Sequence, residues 1–573
     1  MGQLLSYLRH YKKESILAPL FKMLEALFDL LIPLIMADII NIGIAEGDTL
    51  YILRKCGLIV LLGFVGLACS ITAQYFSARA AVVSCSDVRR QLFDKAQTLD
   101  LPQTDAFGGS TLINRMTSDL NQVQNGLNLF LRLFLRSPFV VFGAVIMAFT
   151  VNLRGGLVAA ATLPVLALIV FGIMLKSLPM YTRVQKWLDR LTGITRENLT
   201  GVRVVRAFGR EKEETQRFEA ANAELTAEKL GAGGLSALLN PLTYAIVNLA
   251  LVAILYVGAF EVDNGIIAMG DVVALVNYMG QILVELVKLA NLIIQIARAA
   301  ACAERINVLL GTAPKMQYGE AVPNPGHPEA VVFDHVSLSY NPGSAESLTD
   351  ISFTALRGET LGVIGGTGSG KSSLVNLIPR YYDATSGTVR VFGKDVREYG
   401  KHSLRRCVGT VLQKARLFSG TLRSNLQWGA DDASDEALWQ ALRLAQAEEI
   451  ARSKGGLDAP VEQGGRNFSG GQKQRLSIAR TLAGQPSILI LDDASSALDY
   501  ATDSALRKAL SSLPEDVTVF IVSQRANSLR HADHILVLDE GRLVGDAPHR
   551  VLLETCPVYR EIYESQFDRE ARA

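Results

Sequence analysis

Three observations predict an all-α, six-helix transmembrane domain fused to a soluble α/β domain. The first half of the chain holds six apolar stretches that reach the length needed to cross a bilayer, about 20 residues. Near residue 312 the composition turns to Pro and Gly, the mark of a linker. Beyond it, strand-like apolar runs alternate with helix-like ones, and one run leads into a glycine-rich phosphate-binding pattern. Bulk composition agrees. The chain has 573 residues, too many for one compact domain, and 49% of them are hydrophobic. A mean hydropathy of +0.23 is high for a soluble protein and low for one wholly in lipid. The formal net charge of +1 gives no bulk attraction to nucleic acid, which is excluded as a partner.

The first element is the segment MGQLLSYLRHYKKES. It shows no signal-peptide cleavage pattern and reads as a short amphipathic helix at the membrane face, with Arg9, Lys12 and Lys13 on the cytoplasmic side. The six spans follow at about residues 16–45, 53–78, 127–151, 156–176, 235–260 and 270–296. Short connections around Gly47, Leu153 and Asp263 alternate with two long ones, 79–126 and 177–234. Only the long ones are rich in Arg and Lys, so both long loops and both termini are expected in the cytoplasm. The long loops read as helices continuing past the membrane. They are interrupted at Leu101-Pro102, at Phe107-Gly108-Gly109 and at Gly201.

Two spans carry charges. The first holds Lys22, Glu25 and Asp29 on one face, and the sixth holds Glu285 and Lys288 three residues apart. Charge at bilayer depth costs several kcal/mol unless it faces protein or water. These five residues are therefore either local neutral pairs or a water-filled wall that touches cargo. Six cysteines (Cys56, Cys69, Cys85, Cys302, Cys407, Cys556) show no paired ligand spacing and are expected as reduced thiols that pack as small hydrophobes. The expected partition is a transmembrane domain over 1–314, a linker over 315–330 and a nucleotide-binding domain over 331–573.

In the second domain, Gly365-Gly-Thr367-Gly368-Ser369-Gly370-Lys371-Ser372 follows the apolar run Thr360–Ile364 and opens a helix at Ser373. That is the context a phosphate loop requires. Its glycines let backbone N–H groups turn onto phosphates, and the helix N-terminus adds partial positive charge. Lys371 reaches the β- and γ-phosphates, and Ser372 can ligate Mg²⁺. A second apolar strand, Ser487–Leu491, ends in Asp492-Asp493 and places a carboxylate where Mg²⁺ would sit. Asn467-Phe468-Ser469-Gly470-Gly471-Gln472 follows the pattern LSGGQ, with Phe in the first place as an apolar anchor.

On these motifs the chain resembles the ATP-binding-cassette superfamily over essentially its whole length. The order of six helices then cassette looks like the exporter branch, the multidrug-type half-transporters. Peptidase-bearing peptide exporters fit poorly, since no peptidase sequence precedes the first span. The resemblance implies further roles. Tyr340 would stack on adenine. Gln413 would sense Mg²⁺ beside Ser372 and Asp492. Ser496-Ala-Leu-Asp499 would link the two sites of a cassette pair. In such pairs ATP lies between one chain's phosphate loop and the other chain's signature, so Phe468–Gln472 would serve the partner's ATP. The breaks near 101–112 and 200–212 would carry the coupling helices that touch the cassettes.

Two positions depart from the family pattern. The family has Glu as the catalytic base where this chain has Asp493, and His where this chain has Gln524. A carboxylate withdrawn by about 1 Å costs on the order of 100-fold in rate. Gln offers a neutral amide in place of a positive charge. The expectation is a heterodimer with a second half-transporter chain. This chain's own site binds ATP and hydrolyses it slowly, and its signature completes the partner's active site. The cargo is expected to be a small amphipathic molecule, drug or lipid, moved outward across the cytoplasmic membrane of a bacterium. The alternatives are an importer of the same fold, or a peptide or lipid transporter working as a homodimer.

Overall fold

The computed structural model describes residues 6–341, 343–430 and 432–570. The chain divides into two compact units. One takes in residues up to Gln97 together with Gly108–Thr312; the other takes in Thr98–Phe107 and the chain from Ala313 onward.

The first unit is a bundle of very long helices. Its spans are α1 (Lys12–Ile44), α2 (Thr49–Thr98), α4 (Gly109–Val151), α5 (Leu153–Thr200), α7 (Glu211–Asp263) and α8 (Met269–Gly311). Two short helices, α3 (Leu101–Phe107) and α6 (Val202–Ala207), fall at the expected breaks. At 1.5 Å per residue, the 48 residues of α5 run about 70 Å, more than twice the hydrocarbon core of a bilayer. The apolar stretches read from sequence are the membrane portions of these helices; the charged remainders carry the same helices into water.

Of the expected N-terminal helix, residues 1–5 lie outside the described residues. From Ser6 the chain makes a helical turn that breaks at Tyr11, and α1 starts at Lys12. Gly108 breaks α3 from α4 in a left-handed conformation (φ +74°), which only glycine adopts without strain.

The bundle core is made of Ala26, Leu30, Val140, Ala144, Leu166, Val170, Ile254, Leu275, Met279 and Ile282. Tyr278 is fully buried within it and donates to the Leu30 carbonyl at 2.8 Å. Small residues set the closest helix approach: a Cβ on Gly126 would lie 2.2 Å from that of Ala299, so α4 and α8 meet there without side chains between them. The outer face is apolar and bare, with Leu53, Phe64, Leu168 and Leu249 each about 70% exposed, as a lipid-facing surface requires. The α6 helix has no buried residue, and its Val204 and the adjoining Phe208 are open to solvent.

In the second unit, β1 (Glu329–Leu338), β2 (Leu348–Leu356), β4 (Ser386–Val391) and β5 (Lys394–Asp395) form an antiparallel sheet ordered β2-β1-β4-β5. Strands β3 (Thr360–Gly365), β6 (Val408–Val411), β9 (Ile488–Asp492), β10 (Thr518–Val522), β11 (His534–Asp539) and β12 (Arg542–Ala547) form a six-stranded sheet ordered β12-β11-β3-β10-β9-β6. A small ribbon pairs β7 (Gly420–Thr421) with β8 (Pro460–Val461). All pairings in the large sheet are parallel except β11 with β12. Of its central strands, β9 is buried along its whole length and β3 and β10 at all but one residue each, as expected for a parallel sheet covered on both faces. Four helices matter below: α9 (Lys371–Leu377), α10 (Gly470–Ala483), α11 (Tyr500–Leu510) and α12 (Pro557–Glu570). All six cysteines are free thiols; Cys69, Cys85, Cys302 and Cys556 are buried, and Cys56 is exposed.

Candidate nucleotide-binding site

Strand order builds the site. Adjacent parallel strands β3, β10 and β9 end at the same edge of the sheet, where Val522 pairs with both Val363 and Asp492. Each strand then delivers one loop: the glycine-rich loop after β3, Gln524 after β10, and Asp493 after β9. The carboxyl ends of parallel strands are where ligands bind in open α/β sheets. Here they surround a cavity of about 260 Å³ lined by Thr367, Gly368, Gly370–Ser373, Gln413, Asp492, Asp493, Val522–Gln524 and Ser347.

Gly370 caps α9 in a left-handed conformation (φ +95°), and a Cβ there would lie 2.7 Å from the Ser347 carbonyl oxygen. Both features demand glycine. Lys371 folds back over the loop and donates from Nζ to the carbonyls of Gly366 at 2.6 Å and Gly365 at 3.0 Å, with Ser369 Oγ at 3.5 Å. Burial pushes its pKa down, against the pull of Asp493 and Asp492. Ser372 Oγ donates to Asp492 Oδ1 at 2.9 Å. Burial raises the Asp492 pKa above the ordinary carboxylate range; the Ser372 hydrogen bond opposes this and the charge of Asp493 adds to it. A buried ammonium and two adjacent carboxylates around one cavity suit a polyanion bound together with a divalent cation. The hydroxyl of Ser372, the carboxylate of Asp492 and the amide oxygen of Gln413 are hard oxygen donors of the kind Mg²⁺ takes alongside phosphate and water.

The two departures lie in the same cavity. Asp493 has a left-handed backbone (φ +47°), and its Oδ2 accepts from Gln413 Nε2 at 3.4 Å. Its N–H donates to the Val522 carbonyl, and its own carbonyl accepts from Ser496 Oγ at 2.8 Å. Gln524 lines the opposite side. Its carbonyl accepts from Gln566 on α12 at 2.7 Å, and the same Gln566 side chain accepts from Ala526 N–H at 2.9 Å. Ser347, Val522 and Ser523 also line the cavity, and the sequence reading did not single them out. Ser523 directly precedes Gln524 at the strand end, the one signal that marks it.

The remaining predicted residues lie outside that cavity. Tyr340 donates its hydroxyl to Ser373 Oγ at 2.9 Å and stands edge-on to Tyr382 with ring centroids 4.9 Å apart. Ser469 is the N-cap of α10: its Oγ accepts from Gln472 N–H, and Gln472 Oε1 accepts from Ser469 N–H at 3.0 Å, a reciprocal capping box. Phe468 is buried in the core beneath it, while Ser469 and Gly470 are exposed. A Cβ on Gly471 would lie 2.9 Å from the Ala497 carbonyl oxygen. Asp499 caps α11 by accepting from the N–H and the hydroxyl of Thr502, both at 2.9 Å.

In the helix bundle, Lys22 donates to both oxygens of Glu25, at 2.8 and 2.6 Å, and to Ser70. Asp29 and Glu285 are joined by a residue the sequence reading missed. Arg136 donates to Glu285 Oε1 at 2.6 Å and to Asp29 Oδ2 at 2.9 Å, while Ser137 and Lys288 also bond Glu285. Asp29, Arg136, Gln281 and Glu285, with Ile32 and Val140, border a cavity of about 470 Å³. Lys22, Glu25 and Lys288 do not line it.

The comparisons with known proteins follow this geometry. Residues 15–286 match the family described as ABC transporter transmembrane region, and residues 348–496 match the family described as ABC transporter. An uncharacterized ABC transporter ATP-binding protein of Mycobacterium tuberculosis (strain CDC 1551 / Oshkosh) is 35% identical over 579 residues, covering 99% of this chain and 98% of that protein. An uncharacterized ABC transporter ATP-binding protein of Bacillus subtilis (strain 168) is 35% identical over 571 residues, covering 100% and 99%. The solved structure of a bacterial Atm1-family ABC exporter with ATP bound has the same fold, with a TM-score of 0.81 at 23% identity over 97% of this chain and 99% of that one.

Proposed function

Since the chain belongs to the ABC transporter family, as an ATPase coupled to transport with its membrane-spanning and ATP-binding parts in one polypeptide, we propose that it is the weakly hydrolysing half of a heterodimeric exporter. The observation that carries this reading is the placement of Asp493 and Gln524. Both line the cavity that holds Lys371, Ser372 and Asp492. The groups that would bind ATP are complete, while the two that would activate water and stabilise its attack are substituted.

In this reading Lys371 and the N–H groups of Gly368–Ser373 hold the phosphates, and adenine stacks on Tyr340. Ser372, Gln413 and Asp492 hold Mg²⁺, which when bound neutralises charge between the β- and γ-phosphates. Asp493 holds the attacking water through a carboxylate one methylene too short. Gln524 donates a neutral amide to the γ-phosphate. ATP therefore binds and stays. The exposed start of α10 presents Ser469 and Gly471 to the ATP of a partner chain, whose own base and His do the hydrolysis. The bare face of α6 suits a coupling contact with that partner's cassette.

The domain partition we propose is 1–314, 315–330 and 331–573, with both termini and the cassette cytoplasmic. Cargo is a small amphipathic molecule, drug or lipid. Of the five charged candidates, Asp29 and Glu285 border the bundle cavity and would meet it, while Lys22, Glu25 and Lys288 act as neutralising partners.

ATP hydrolysis by this chain purified alone, beside the chain purified with the half-transporter it assembles with, tests the proposal. Low turnover alone and strong, amphiphile-stimulated turnover in the pair are expected. Rapid turnover by the chain alone would mean that Asp493 and Gln524 suffice, and the proposal would fall.

A further inference from the structure

We propose that Tyr382 is a positioning residue that ties the orientation of Tyr340 to the short helix α3, so that nucleotide at this chain's site and the loop between the second and third long helices sense each other. The inference rests on Tyr340 being the platform for the base.

The contacts form an unbroken line. Helix α3 lies in sequence between two membrane-spanning helices, yet it groups with the ATP-binding unit. Its attachment is specific. Buried Gln103 donates to the Ala313 carbonyl at 2.7 Å, and buried Asp100 accepts from the N–H groups of Lys315 and Met316, both at 2.8 Å. At the other end of α3, Asp105 Oδ2 accepts from the Tyr382 hydroxyl at 2.6 Å. The Tyr382 ring meets Tyr340 at 90° with centroids 4.9 Å apart, the edge-to-face arrangement that aromatic quadrupoles prefer. Tyr340 then donates to Ser373, in the first turn of α9 and on the wall of the nucleotide cavity. Two rings and two hydroxyl hydrogen bonds thus connect a carboxylate of the membrane-side loop to the phosphate-loop helix.

The chemistry makes the line directional at each joint. Tyr382 can only donate to Asp105, since an ionised carboxylate only accepts. Burial of Tyr382 and the charge of Asp105 both push its pKa up, so it keeps its proton throughout the physiological range and the bond persists. An edge-to-face contact fixes the plane of the neighbouring ring. A base stacking on Tyr340 needs that plane fixed, and a ring held in one plane by a base in turn holds Tyr382 and Asp105. By linkage the effect is reciprocal: a coupling of about 1 kcal/mol changes either equilibrium about five-fold.

Hydrogen exchange of the full chain in lipid nanodiscs, as it assembles, tests this with Mg²⁺ and a non-hydrolysable ATP analogue as the probe. In the unmodified protein the analogue should slow exchange both in residues 366–373 and in residues 101–107, the latter about five-fold. In Tyr382→Phe, which keeps the ring and loses the hydroxyl, residues 366–373 should stay protected while the response of 101–107 disappears. Asp105→Ala, which removes the acceptor, should behave the same way, and the double variant no differently from either. Protection of 101–107 that survives in both single variants would overturn the proposal, as would effects that multiply in the double variant. Tyr340→Ala separates the two readings. If it leaves affinity for the analogue unchanged, the adenine platform itself is wrong and the coupling falls with it. If affinity drops while Tyr382→Phe retains the response of 101–107, only the coupling is wrong.

Discussion

Asp493 holds a backbone conformation (φ +47°) that Asp tolerates better than Glu, whose longer side chain gains no local hydrogen bond there. Its carboxylate is also within reach of Gln413. Restoring the family pattern lengthens the base by one methylene and gives a cation at position 524. Asp493→Glu with Gln524→His, measured in a pair whose partner site is inactivated, is expected to raise turnover about ten-fold or more. Unchanged turnover would mean that these residues do not limit hydrolysis. Asp492 makes a separate prediction. Its folded pKa is raised, so its ionised form costs stability above that pKa, and the cost vanishes as pH falls through it. Mg²⁺ needs the ionised form. Lowering pH toward the ordinary carboxylate range should therefore raise the Mg²⁺ concentration required for half-maximal nucleotide binding, and Asp492→Asn should remove the pH dependence. The phosphate loop and the Asp pair were legible in the sequence because each is a local pattern with its own strand. Ser347 was not: it reaches the cavity from outside every motif, where a turn before β2 brings its carbonyl against Gly370.

The long helices show what periodicity can and cannot reveal. Their existence followed from apolar length. Their cytoplasmic ends followed only from the Pro and Gly breaks near 101–109 and at Gly201, because a helix that leaves the membrane changes composition without changing conformation. Arg136 was hidden for a different reason. An Arg in an apolar run has no acidic partner nearby in sequence; Asp29 lies 107 residues before it and Glu285 lies 149 after it. Only packing of α1, α4 and α8 joins them. Arg136 and Glu285 are 12% and 5% exposed, so removing the cation leaves a buried carboxylate with only the half-exposed Lys288 as its counter-charge. Arg136→Met is expected to cost up to about 3 kcal/mol, the low end for breaking a buried pair because Lys288 remains, read as a lowered thermal unfolding temperature in nanodiscs. Adding Glu285→Gln should recover most of the loss. A full loss in the double variant would show that packing of the Arg136 stem, and not its charge, holds the three helices.

At the scale of the molecule, one chain leaves the parts of its machine exposed that a pump must cover. The apolar face at α6 is open to solvent in the helix bundle, and in the other unit the signature start on α10 is exposed away from the phosphate cavity. The order of six helices then cassette was readable from two unrelated signals, hydropathy and motif. The heterodimer reading came only from two departures at single positions, Asp493 and Gln524. The central claim is that ATP remains intact in this chain's site while the partner's site turns over. Photolabelling of the assembled pair after turnover, with azido-ATP carrying its label on either the α- or the γ-phosphate, tests it most directly. The account predicts that this chain keeps the γ-label and the partner carries only the α-label. Loss of the γ-label from both chains would contradict it.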